Sequence, residues 1–115
     1  MTDDVFCKII KKELPTDVIM EGENWIAIND IHPQAPVHVL IISKKHGSFN
    51  DYTDTDTDYL GRLLISASKV AKKLGVDKTG YRLIINYGGD SQADILNHLH
   101  IHLLAGKKLG AKIVN

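Results

Sequence analysis

Cysteine is nearly absent from this 115-residue chain: Cys7 is its one thiol. No intramolecular disulfide can form, and such cysteine usage fits a reducing, cytoplasmic setting. An excess of either charge is missing too. Lys+Arg and Asp+Glu are 14 each, for a formal net charge of +0. Proteins that grip nucleic acid by its backbone carry a basic field, so this balance argues against nucleic acid as a bulk partner. It leaves room for one anionic ligand held by a few placed groups. No apolar run approaches the ~20 residues that span a bilayer, so no membrane partner is expected. Met1-Thr2-Asp3-Asp4 is acidic and no long apolar segment follows it, so no signal peptide is expected.

Two nucleotide- or metal-loop signatures are absent on inspection. Gly88-Gly89 lacks the spacing of either common glycine-rich phosphate loop and reads as a turn. Asp54-Thr55-Asp56-Thr57-Asp58 imitates the start of an EF-hand loop. Tyr59 stands where the loop needs glycine and Ile65 where it needs glutamate, so calcium is not expected. There is no internal repeat and no low-complexity linker.

What is present is an ordinary globular balance, with 43% hydrophobic and 24% charged residues. The length suits a single domain over residues 1–115. A core of that size is modest, which makes dimerisation a reasonable expectation. Phe6, Ile9 and Ile10 fall at helical spacing, with Asp3 or Asp4 as N-cap and Pro15 beyond the end. Val18–Glu21 and Trp25–Asn29, joined by Gly22-Glu23-Asn24, predict a hairpin. The β-branched run Val37–Ile42 predicts a central strand after a loop over 30–36. Thr55 and Asp58 have capping-box spacing ahead of a long amphipathic helix. Its apolar face is expected to hold Leu60, Leu63, Leu64, Ala67, Val70, Ala71 and Leu74. Strands over 81–86 and 98–104 follow, separated by a polar loop. The order α-β-β-β-α-β-β predicts an α+β domain, an antiparallel sheet with helices beside it.

The last strand carries the chemistry. His98, His100 and His102 alternate with Leu99 and Ile101. Successive strand residues face opposite ways, so the imidazoles share one face at ~6.6 Å intervals, while the aliphatic residues enter the core. Core packing explains the leucine and isoleucine but not three imidazoles in a row. Imidazole titrates near neutral pH, so the cluster can supply a nucleophile or base with its proton relay. His-x-His on a strand can also chelate zinc, with a further ligand from Cys7, His38 or His46. Single residues have plainer readings: Asp30 as a turn residue, Asn86 as a loop cap, His38 as a satisfied core histidine.

His98-Leu99-His100-Ile101-His102-Leu103-Leu104 resembles the His-φ-His-φ-His-φ-φ motif (φ apolar) of the histidine-triad superfamily. The Phe6–Ile10 and Lys12–Pro15 segments, Asp30-Ile31-His32-Pro33-Gln34-Ala35-Pro36, His38, Lys44-Lys45-His46, Gly80–Leu83 and Asn86 are similar to the Hint branch, which holds purine nucleoside phosphoramidases. The resemblance implies a HIT-like fold: a five-stranded antiparallel sheet with two helices, extended across a homodimer. It implies a hydrolase that attacks the α-phosphorus of purine nucleoside 5′-phosphoramidates or aminoacyl adenylates and releases AMP. Dinucleoside polyphosphate hydrolysis, or nucleotide binding with weak turnover, is the alternative. His100 would be the nucleophile and form a covalent nucleotidyl-histidine. His102 would bind phosphate and help deliver a proton, while His98 and His38 orient and tune the nucleophile. Asp30 would take the ribose hydroxyls, Ile31, Phe6, Ile9 and Ile28 would line the base pocket, and Asn86 would hold the sugar–phosphate end.

Two places depart from the family pattern. Hint proteins carry Gly-Gln-x-φ-x-His before the triad; here counting back from His98 puts Ala93 and Asp94 at the Gly and Gln positions, while aligning Gln92 with that Gln requires two extra residues before His98, so the loop is altered either way. Some bacterial relatives hold zinc through Cys-x-x-Cys plus two histidines. Here Asp4 replaces the first cysteine of that pair, so no cofactor is expected, and Asp4, Cys7, His46 and His98 are what a weakened site would use.

Overall fold

The hydrophobic run Val37–Ser43 forms the middle of a sheet and is buried along nearly its whole length, because both its faces are covered. The computed structural model describes residues 4–93, 95 and 97–111. In chain order the elements are α1 (Val5–Ile10), β1 (Val18–Glu21), β2 (Trp25–Asn29), β3 (Val37–Ser43), α2 (Thr57–Lys73), β4 (Tyr81–Ile84) and β5 (His100–Ala105). The strands form one five-stranded sheet in the order β1-β2-β3-β5-β4, every pair antiparallel. This is the expected α+β architecture with two helices. Among the described residues no helix is long and apolar enough to cross a membrane.

Alternation along the strands divides the apolar residues between two layers. Ala27, Val39, Ile41, Leu99, Ile101 and Leu103 meet Leu63, Ala67 and Val70 of α2 on one face. Ile26, Ile28, Leu40 and Ile42 meet Phe6 and Ile9 of α1 on the other. His100 pairs with Ile42 and His102 with Leu40, so both imidazoles lie on the α1 face. That face is only partly covered, because α1 is six residues long.

Several boundaries shift from expectation. β4 ends at Ile84 rather than at Asn86. The capping box forms two residues earlier than the Thr55–Asp58 spacing suggests: Asp56 Oδ2 accepts from the Thr53 amide at 2.9 Å. The earlier pair wins because a short 3₁₀ turn over Asp54–Asp56 precedes α2. Leu64 is 51% exposed rather than in the core, since it lies at the edge of the stripe centred on Leu63, Ala67 and Val70. At α1 the N-cap is Asp4, whose Oδ1 accepts from the Cys7 amide at 2.8 Å.

Candidate active site

A cavity of about 460 Å³ opens on the α1 face over His100 and His102. His38, Asp30 and Asn86 line it from the other strands and loops. Phe6, Ile9 and Ile28 supply an apolar wall, and Ile31 stands at the rim, 85% exposed. The structure therefore brings together nine of the ten residues singled out in the sequence as catalytic or nucleotide-binding. His98 is the exception and lies behind the wall.

The protons of this group can be assigned from fixed main-chain partners. A carbonyl oxygen can only accept, so His100 Nδ1, 2.8 Å from the His98 carbonyl, carries a proton. In the neutral ring Nε2 then holds the free lone pair. The Gln34 amide donates to His38 Nδ1 at 3.1 Å, which leaves the proton of a neutral His38 on Nε2. That nitrogen faces His102 Nδ1 at 2.9 Å and Asp30 Oδ2 at 3.4 Å. With Nδ1 of His102 accepting, its own Nε2 is the donor. Asp30 Oδ1 accepts from the His32 amide at 2.8 Å, an Asx-type turn, so this carboxylate is both a turn residue and a wall of the cavity.

Burial favours the neutral form of two of these rings, His100 and His102. Burial pushes His102 down from 6.5 to about 4, and the neighbouring His100 and His38 add to the shift. Burial also lowers His100, opposed in part by its bond to the His98 carbonyl. A neutral His100 is the form with a lone pair to give.

His98 departs from the expected strand. β5 begins at His100, and residue 98 instead forms an isolated parallel bridge with Gly47. The cause lies in the main chain: the Leu99 amide donates to the Gly47 carbonyl at 2.7 Å, and the Ser43 amide to the Leu99 carbonyl at 3.1 Å. The His98 ring, fully buried, donates Nε2–H to the Ser43 carbonyl at 2.6 Å. Its Nδ1 sits 3.0 Å from Asp4 Oδ2 and 3.8 Å from Cys7 Sγ. His46 Nδ1 joins them, 3.2 Å from Cys7 Sγ and 3.5 Å from Asp4 Oδ2. Burial raises the Asp4 carboxyl, but the Cys7 amide and the His98 imidazole outweigh this and hold it below its ordinary value. Phe6 separates this group from the cavity, its ring edge-on to both His98 (5.5 Å) and His100 (4.9 Å).

Sequence reasoning missed the Gln34 amide, because main-chain donors have no side-chain signal. It also missed Leu40, which β-register places opposite His102. Ser91, Gln92 and Ala93 of the altered loop line the cavity. Asp94 lies outside the described residues.

Comparisons with known proteins agree with this arrangement. The HIT domain family matches residues 11–109. A protein of Escherichia coli (strain K12) named purine nucleoside phosphoramidase is 36% identical over 114 residues, covering 98% of this chain and 95% of its own. The solved structure of a HIT family hydrolase from Clostridium thermocellum shares 45% identity, covers 99% of both chains and superposes with a TM-score of 0.91. A HIT family hydrolase from Legionella pneumophila shares 41% identity with a TM-score of 0.88, covering 94% of this chain and 96% of that one. With the family matched across most of its length, the chain belongs to the HIT domain family.

Proposed function

We propose that this protein hydrolyses the α-phosphate bond of purine nucleoside 5′-phosphoramidates or aminoacyl adenylates and releases AMP, with His100 as the nucleophile. The observation that carries the reading is the His98 carbonyl on His100 Nδ1, which aims the free Nε2 lone pair of a cavity-lining ring. The similarity to a protein named purine nucleoside phosphoramidase supports the choice of substrate.

The chemistry follows in two displacements. Nε2 of His100 attacks the α-phosphorus, a phosphorus–nitrogen bond forms to the ring, and the bond to the leaving group breaks, which departs as an amine from a phosphoramidate or as a carboxylate from an aminoacyl adenylate. Water then attacks the same phosphorus, the histidine–phosphorus bond breaks, and AMP leaves. Splitting one displacement in two is the gain of covalent catalysis. His102 points its Nε2–H donor at a phosphate oxygen. The arriving anion favours protonated His102, so proton supply to the departing amine is tied to bound substrate. His38, fixed by Gln34, holds His102 in the required tautomer. Asp30 Oδ2 is placed to accept from ribose hydroxyls.

The partner we assign is a second copy of this chain. β4 is an edge strand whose outer side is unpaired among the described residues. Tyr81 and Leu83 in it, and Ile85 just past its end, are each at least 36% exposed, an apolar edge that a monomer rarely leaves open. Sedimentation should give a dimer mass; a monomer at all concentrations removes this part of the reading.

Turnover of adenosine 5′-phosphoramidate tests the mechanism. His100→Ala should lose on the order of 10³-fold or more in kcat, and rapid quench of the wild type should show an adenylylated protein. Equal rates for the two proteins overturn it.

A further inference from the structure

Ser43 is the last residue of β3 and lies one position past the β3–β5 ladder, which ends at Ile42 and His100. Its main chain nonetheless grips the two residues before His100. The Ser43 amide donates to the Leu99 carbonyl at 3.1 Å, and the Ser43 carbonyl accepts from His98 Nε2 at 2.6 Å. The Ser43 side chain belongs to the opposite layer. It shares the parity of Val39 and Ile41, which pack against α2, and it is fully buried. An apolar residue is the ordinary occupant of such a position, because a buried hydroxyl costs stability unless it is hydrogen-bonded.

Three hydroxyls converge there instead. Tyr59, in the first turn of α2, sets its phenol oxygen 2.6 Å from Ser43 Oγ, and Tyr52 sets its own at 3.0 Å. The two rings stack with centroids 5.8 Å apart. Main-chain groups close the cluster. The Lys45 amide donates to Ser43 Oγ and to the Tyr59 oxygen, both at 3.2 Å. The Lys45 carbonyl accepts from Ser43 and the Asn24 carbonyl from Tyr59, again at 3.2 Å. Each of the three hydroxyl protons thus has an acceptor within reach. Alanine and phenylalanine would fill nearly the same shape, and exchanging bonded hydroxyls together for apolar groups is close to neutral for stability. What the hydroxyls add is direction: a packed methyl tolerates a rotation of residue 43 that a bonded hydroxyl resists.

We propose that Ser43 is a positioning residue for the reaction, held by the Tyr52 and Tyr59 hydroxyls on the α2 face so that its carbonyl fixes the His98 ring and, through it, the carbonyl that accepts from His100 Nδ1. The path is continuous. It runs from the Tyr59 hydroxyl to Ser43 Oγ, from the Ser43 carbonyl to His98 Nε2, and from the His98 carbonyl to His100 Nδ1, at 2.6, 2.6 and 2.8 Å. A reacting group has to be held within about 0.5 Å and 10–20° of its productive direction, so a loosened link on this path lowers turnover. The catalytic half of the proposal rests on reading His100 as the nucleophile; the hold of the cluster on His98 does not.

Ser43→Ala, Tyr59→Phe and the double variant test it in the full-length protein, with Ser66→Ala as a control. Ser66 is also buried, on α2, but its hydroxyl turns back to the Leu63 carbonyl of its own helix. Ser43→Ala should lower kcat for adenosine 5′-phosphoramidate about 10-fold and leave KM within about 2-fold. Tyr59→Phe should lose less, and the double variant no more than Ser43→Ala, because both changes act through one atom. Ser66→Ala should leave kcat and KM unchanged. By NMR, the His98 Nε2–H and His100 Nδ1–H protons should exchange with water faster in Ser43→Ala and Tyr59→Phe, and at the wild-type rate in Ser66→Ala. Unaltered exchange in Ser43→Ala and Tyr59→Phe overturns the proposal, whatever happens to kcat. Additive losses in the double variant, or an equal loss in Ser66→Ala, overturn it as well. Faster exchange with kcat intact overturns the link to the reaction. His100→Ala, run alongside, keeps the two readings apart: a wild-type rate there overturns the nucleophile, while the exchange rates still decide whether the cluster holds His98.

Discussion

Two groups of imidazoles flank His100 on the same face of the sheet, and they differ in where their protons are fixed. At the cavity end, donor follows acceptor: the Gln34 amide on His38 Nδ1, then His38 Nε2 on His102 Nδ1. At the other end the His98 ring commits its Nε2 proton to the Ser43 carbonyl and sets Nδ1 3.0 Å from the Asp4 carboxylate. The first arrangement is a chain along which a proton can be relayed; the second ties a buried ring to a carboxylate. Neither the number of histidines nor the face they share distinguishes the two. The amide or carbonyl opposite each ring does, because it selects the tautomer.

The largest expected effect sets the two groups directly against each other. His102→Ala removes the donor that the proposed mechanism sets on the phosphate and should cut kcat for adenosine 5′-phosphoramidate by about 10²–10⁴-fold, the usual worth of general acid–base help. His46 does not line the cavity and meets Cys7, Asp4 and the His98 ring behind the Phe6 wall, so the loss for His46→Ala should be at most about 10-fold. Steady-state kinetics on the two variants checks the ratio. Equal losses would erase the distinction between relay and cradle.

A smaller effect concerns acid stability. His102 titrates near 6.5 unfolded but at about 4 in the fold. The unfolded chain therefore binds the proton first as pH falls. The stability that neutral His102 contributes is complete above 6.5 and is lost progressively between 6.5 and about 4. Urea midpoints measured across that window should fall more steeply for the wild type than for His102→Asn. Parallel curves would mean that the ring is hydrated in the folded state and that the cavity end is not the dry environment its geometry describes.

The sheet was legible because period-2 alternation and the Gly22-Glu23-Asn24 turn are local signals, and both strands of the β1–β2 hairpin end where those signals end. The triad was legible for the same reason from His100 onward. Residue 98 was not, since the Gly47 contact that lifts it out of the strand is made by main-chain atoms 51 positions away. Leu64 misled because an apolar residue at the margin of a helical stripe has the same spacing as one at its centre. Asp30, Ile31, His38, Asn86, His100 and His102 lay in segments whose resemblance to a known family could be read directly, whereas the Gln34 amide and the tautomers it imposes appear only once the loop over 30–36 has a shape.

The smallest expected effect separates binding from folding at two neighbouring isoleucines. Ile28 is buried in the α1-side core, and Ile28→Ala should cost about 2–5 kcal/mol of stability. Ile31 lines the same cavity but is 85% exposed, so the fold gains almost nothing from its side chain. Ile31→Ser should leave the thermal midpoint unchanged, within about 0.5 kcal/mol. Its cost should appear in KM alone, as a rise of about 4-fold per methylene-equivalent withdrawn from the purine face. A lowered midpoint would show that Ile31 packs onto the protein in solution. An unchanged KM would move the base away from this rim and leave the His100–His102 floor as the one part of the cavity that grips substrate.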